Sequence, residues 1–203
     1  MKGCRGSAVA VVIGARLWAQ TPSVPNHDAF FDGLKALAGK AYEGRVVEGN
    51  ASDAAFQGKR LVMHVWKAGE DQIHIPFHVG EDRSRTWILT RTGSGLQLKH
   101  DHRHADGSPD ASTMYGGHTV DAGWPQAQAF PADLPSQALF LRTGLPQAIQ
   151  NTWYLYLYPG KTFTYRLTRE GRAFRVDFDL SRPVPPPPLP WGHSEQIAPV
   201  TRR

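Results

Sequence analysis

The chain has 203 residues, 40% of them hydrophobic, enough for the core of one domain with tails and too many for a chain disordered throughout. Its formal net charge is +5, but three of the 23 basic residues (Lys2, Arg5 and Arg16) precede residue 20, and the remaining 20 face 18 acidic ones. With near balance and no Lys/Arg run, the body of the chain lacks the electrostatic footprint of a nucleic-acid binder.

Residues 1–19 read as a signal peptide. Lys2 and Arg5 form a basic start, residues 8–13 an apolar stretch, and Leu17-Trp18-Ala19 a cleavage site that makes Gln20 the first mature residue. This places the mature protein in the periplasm or outside the cell; the alternative is a frayed N-terminal helix of a cytoplasmic protein. The apolar stretch falls far short of the roughly 20 residues a membrane-spanning helix needs, and no later segment qualifies. Cys4 is the only cysteine. It precedes the apolar stretch instead of ending it as a lipidated cysteine would, and its removal leaves the mature chain without a thiol.

Residues 20–26 read as a linker. Residues 27–38 follow as a short amphipathic helix, capped by Asn26 or Asp28 and stopped by Gly39, with Phe30, Phe31, Leu34 and Leu37 on one face. It is expected to plug or flank what comes next. From residue 40 the period becomes two, and strands are predicted at 41–47, 61–66, 73–79, 84–91, 96–102, 112–118 and 124–130. A second short helix at 133–142 interrupts, and a meander at 152–158, 162–168 and 172–180 closes the domain. Pro76 removes a ladder donor and predicts an edge or a bulge. About nine or ten antiparallel strands at hairpin spacing predict an all-β domain over residues 27–182, an up-and-down barrel or a sandwich. The barrel is preferred because it leaves no exposed edge. Residues 183–192 are a polyproline II segment, expected as a strap pinned by Trp191 in preference to a docking motif, and residues 193–203 as a disordered tail.

Seven of the nine histidines fall between His64 and His118, and imidazole is the commonest ligand for transition metals. In strand 96–102, Leu96, Leu98, His100 and His102 share a face. The leucines turn that face inward, so both imidazoles are expected to project into the barrel near its rim and to meet one metal ion such as zinc. His104 and Asp106 just beyond, and His118 from the partner strand, are possible further ligands; the competing reading is a hydrated hairpin end. His74 and His78 alternate with Ile73, Ile75, Phe77 and Val79, which makes them outward and solvated, and His64 reads the same way. Arg85, Trp87 and Tyr115 are the candidates for contact with a small ligand. An inward Arg85 needs a carboxylate or an anionic guest; if Ser84, Thr86 and Ile88 face inward instead, Arg85 is ordinary surface.

Tyr154, Tyr156 and Tyr158 form an outward stripe, expected to pack against helices in preference to serving as a sugar or partner platform. The stretch Asp106-Gly107-Ser108-Pro109-Asp110 lacks the spacing and terminal Glu of a calcium loop. There is no phosphate-binding Gly-rich loop, Gly-x-Ser-x-Gly or His-Glu-x-x-His.

The leader, Gly39-Lys40-Ala41-Tyr42-Glu43-Gly44, and the block from Ile75-Pro76-Phe77-His78-Val79-Gly80 through Asp106-Gly107 together resemble an uncharacterised group of exported proteobacterial proteins, which implies no activity. The Gly39–Gly44 segment is also similar to the calycins, lipocalins and nitrobindins, where Gly-x-Trp opens the first barrel strand; here Tyr42 stands for the Trp and the spacing differs. The spacing His100-x-His102-x-x-x-Asp106 resembles that of the metal-binding cupins, without their second motif. The expectation is an exported barrel that binds a small molecule or a metal ion and no nucleic acid. The alternatives are a metal-dependent enzyme of the cell envelope and a non-catalytic envelope interaction module.

Overall fold

The computed structural model describes residues 24–194. The leader, its cleavage site, Cys4 and the tail beyond residue 194 lie outside the described residues.

Helix α1 (Pro25–Lys35) comes first. It begins inside the stretch expected as a linker, because proline at the first helical position supplies a helical φ and lacks only an N–H that would have no helical partner anyway. Neither Asn26 nor Asp28 caps it. Val24 is the N-cap and makes no side-chain cap bond, while Asn26 Nδ2 donates to Gly123 O at 2.8 Å and Asp28 faces Arg91 at 3.5 Å.

The strands follow as β1 (Ala41–Glu48), β2 (Leu61–His64), β3 (Lys67–Ala68), β4 (Gln72–Val79), β5 (Asp82–Thr92), β6 (Gly95–His102), β7 (Tyr115–His118) and β8 (Ala127–Pro131). Helix α2 (Leu134–Arg142) precedes β9 (Thr152–Tyr158), β10 (Thr162–Arg169) and β11 (Arg172–Val184). The eleven strands make one antiparallel sheet in the order β7-β6-β5-β4-β2-β1-β11-β10-β9-β8, with β3 paired to β4. A bridge between Gly117 and Ala132 brings the two edges together. The result is the up-and-down barrel expected from the sequence, nearly closed, with β1 stitched between β2 and β11.

The inward residues of the alternating strands form one apolar core, including Leu61, Met63, Ile73, Ile75, Leu89, Leu98, Trp153, Phe163 and Phe178. Helix α1 plugs one end. Its Phe30, Phe31 and Leu34 are fully buried, and Arg91 lies over the Phe31 ring at 4.4 Å while bonding Asp32 at 2.8 Å. At the other end the 3₁₀ segment Ala51–Phe56 lays Phe56 against Phe77 and Phe174, at 6.1 and 4.8 Å between ring centroids. The buried Asp53 anchors that segment by accepting from Arg172 Nη2 at 2.6 Å.

Pro76 lies where β2 pairing, which ends at Phe77, gives way to β3 pairing, which begins at His74, so the missing N–H breaks no ladder bond, and just beyond it β4 shifts register against β5, between Phe77 and Val79. Two expectations change. The polyproline segment starts later than expected, because Pro183 and Val184 still pair with Tyr42 and Ala41 as the last residues of β11. Among the described residues no helix covers the tyrosine stripe: Trp153, Leu155 and Leu157 point inward, Tyr154 and Tyr156 are half-buried, and Tyr158 is 49% exposed. Among the described residues no helix is long and apolar enough to cross a membrane.

Candidate functional site

The end of the barrel away from α1 collects the polar groups of the inner wall. Cross-strand register sets Arg85 opposite His102 and His100 opposite Tyr115. His100 is 2% exposed and its ring stacks on Tyr115 at 4.7 Å and tilts against Trp153 at 5.0 Å. Both of its nitrogens are committed. The Tyr115 carbonyl, 3.2 Å from Nδ1, can only accept, so Nδ1 carries the proton; Nε2 then accepts from the Tyr165 hydroxyl at 2.9 Å. Burial, followed by the neighbouring His102, pushes His100 down to about 3, so this ring is a neutral structural link.

His102, the last residue of β6, is half-buried. Its Nε2 shares a hydrogen bond with the Tyr115 hydroxyl at 3.1 Å. Burial first, then the Arg85 charge, lowers it to about 4, and burial lifts the Tyr115 phenol to about 12. The pair is neutral around pH 7. Arg85 shares the inner face with Trp87 and Leu89; its guanidinium is 5.5 Å over the Phe56 ring, and its side chain is 23% exposed. Its one side-chain partner among the described residues is Asp82, reached through Nη1 at 2.5 Å. Burial works against ionisation of Asp82, but hydrogen bonds from Ser84 and Arg85 outweigh it and hold the carboxyl below its usual range. Aromatic rings wall the site inward of Arg85: Trp87 stacks on Tyr165 at 4.5 Å and on Phe77 at 4.8 Å. Of the two readings of strand β5, the one with Arg85 and Trp87 inward is the one the fold adopts.

The five residues expected as metal ligands are not gathered. His100 and His102 face the interior, each tied to a tyrosine. His104 and Asp106 are exposed on the hairpin tip, His104 at 3.8 Å from Asp110 and Asp106 accepting from the Ser108 N–H and hydroxyl at 2.9 and 2.6 Å. His118 bonds Thr92 Oγ1 at 2.8 Å and the Thr119 carbonyl at 2.9 Å, toward the α1 end. Among the described residues no three His, Cys, Asp or Glu side chains are grouped to hold a metal ion. The physical reason is the pleat: the tip diverges from the inner face just after His102, and His118 falls on the opposite face from Tyr115, which enters the site.

His64 and His78 also depart from expectation. They do lie outside the barrel, but both are buried, because the proline segment runs over them. Asp82, Phe56 and Tyr165 are the site residues that sequence reasoning missed. Tyr165 carried a signal, since it shares parity with Phe163 and Leu167, and Asp82 stands three residues before Arg85.

Compared with known protein families, curated proteins and solved structures, the chain matches none.

Proposed function

We propose that the mature protein is an exported, non-catalytic barrel that binds a small carboxylate-bearing molecule at the end framed by Phe56, Arg85, His102 and Tyr115. The observation that carries this reading is an inward arginine whose guanidinium spends one nitrogen on Asp82 and keeps its other donors free of protein acceptors among the described residues. A planar guanidinium with spare parallel donors suits a carboxylate. The neutral His102–Tyr115 pair offers further hydrogen bonds, and the half-buried Phe56 ring offers apolar surface for the body of the guest. A metal is not invoked, since His100 has no free nitrogen and, of the other four candidate ligands, only His102 faces the site.

The test is a fluorescence titration with anilinonaphthalene sulfonate, an anionic aromatic probe. Saturable binding is expected, weakened at least about tenfold by Arg85→Met, with near-ultraviolet circular dichroism unchanged. Equal binding by wild type and a folded Arg85→Met protein overturns the reading.

A further inference from the structure

The outer wall holds a second polar cluster that the barrel end does not use. His78 of β4 is 3% exposed, and its Nε2 is sealed from water without a hydrogen-bond partner among the described residues. A buried polar atom left unpaired costs about 1–3 kcal/mol, so a native fold that keeps one invites a search for its partner. The imidazole lines a cavity of about 360 Å³ between β4 and the prolines at 185–188, with Arg60 and Arg83 on the same wall. Arg83 is half-buried and has no carboxylate partner among the described residues; its side chain donates only to Leu189 O, at 3.3 Å. Arg60 pairs with Glu43 at 2.9 Å, and the one carboxylate lining the cavity, Glu81, is exposed. Among the lining residues two guanidiniums thus face one carboxylate, and Arg83 is the cation that no carboxylate among the described residues pairs.

We propose that this cavity binds a small oxoanion, held between the Arg83 and Arg60 guanidiniums beside the His78 imidazole, beneath the proline roof. Burial, and after it the Arg83 charge, lowers His78 to about 4, so around pH 7 the ring is neutral and has a proton to donate on one nitrogen. The roof argues for a small guest over an extended peptide. Prolines have no N–H, so the strap cannot supply main-chain donors to a second chain, and the volume sits near the lower end of small-molecule sites, roughly 300–1,000 Å³. The strap is also tied to the anion's main ligand: Trp191 N donates to Arg83 O at 3.1 Å, which joins the Arg83 main chain, as well as its side chain, to the strap.

The experiment is a titration of ¹⁵N-histidine-labelled full-length protein with sulfate, inorganic phosphate and acetate, at ionic strength held constant with chloride and followed by NMR of the histidine ring nitrogens. At least one anion is expected to shift the His78 signals saturably. Arg83→Met is expected to weaken that binding at least about tenfold, while Arg85→Met leaves it unchanged, which separates this site from the barrel end. Arg60→Gln, at an exposed side chain, is expected to weaken binding too and serves where Arg83→Met disturbs the strap. No saturable shift at His78 with any of the three anions, or the same curve in both arginine variants of the cavity, overturns the proposal.

Discussion

The Tyr115 hydroxyl and His102 Nε2 lie 3.1 Å apart, and the same tyrosine ring stacks on His100 at 4.7 Å. One side chain thus joins the sealed interior to the accessible rim. Tyr115→Phe removes the hydroxyl and keeps the ring, so the stack on His100 survives and His102 loses its partner. The expected cost is about 1 kcal/mol, read from urea unfolding, together with a weaker grip on the anionic dye. A variant as stable as wild type, with unchanged dye affinity, would show that the hydrogen bond matters to neither fold nor site.

Three imidazoles, buried His100 and His78 and half-buried His102, make stability depend on pH in a predictable window. His100 falls to about 3, and His102 and His78 to about 4, from an ordinary 6.5, each chiefly because burial penalises the cation. A folded-state pKa below the unfolded value means that, as pH falls, the unfolded chain takes up protons first. The stability is therefore fully present above about 6.5 and is lost as pH drops toward 4, by about 1.4 kcal/mol per pH unit for each histidine inside its window. The paired carboxylates Asp82 and Asp133 lie below their reference of 3.8, so they contribute only at still lower pH. Urea midpoints should be flat between about pH 7 and 8 and fall below 6.5, with a shallower fall in His78→Leu. A midpoint constant down to about pH 4.5 would contradict the burial of these rings.

Much of this was legible because it is local. Alternation along residues 96–102 and 152–158 reveals which side chains share a wall, and the leucines and tryptophan say which wall is inner. What covers an outer wall is written elsewhere in the chain. Parity placed His78 outside the barrel, but its burial depends on prolines more than a hundred residues later, and nothing near residue 78 announces them. The candidate metal ligands are not gathered for a related reason: His100, His102, His104 and Asp106 are close in sequence, yet the hairpin leaves the sheet after His102 and carries the last two into solvent. The tyrosine stripe was paired in expectation with helices that instead plug the barrel end, in the case of α1, or pack beside β7, in the case of α2.

Asp53 and Arg172 pin the 3₁₀ segment that brings Phe56 over the barrel end opposite α1. Their ion pair at 2.6 Å is nearly sealed, with side chains 3% and 16% exposed. Breaking such a buried pair by removing its carboxylate costs roughly 3–5 kcal/mol. Asp53→Ala should therefore lower the melting temperature and speed amide exchange across residues 50–57 before the strands exchange. Exchange that quickens uniformly, with no lead from this segment, would mean that the ion pair supports the whole barrel and not its rim.

The seam gives the sharpest packing test. At Gly117 an added Cβ would come within 1.9 Å of Pro131 O, and this glycine has no left-handed φ, so close approach alone excludes a side chain there. Gly117→Ala must push β8 away, break the bridge to Ala132 and unsettle Tyr115 two residues earlier. Gly144 is the matched control: its φ is +75 and nothing lies within 4 Å of its would-be Cβ, so alanine there meets only backbone strain of about 1 kcal/mol. Gly117→Ala should cost roughly 2–4 kcal/mol and weaken dye binding, whereas Gly144→Ala should cost less and leave the dye untouched. If thermal melts of the two variants coincide, the edges of the sheet do not meet closely enough for the barrel to depend on their contact.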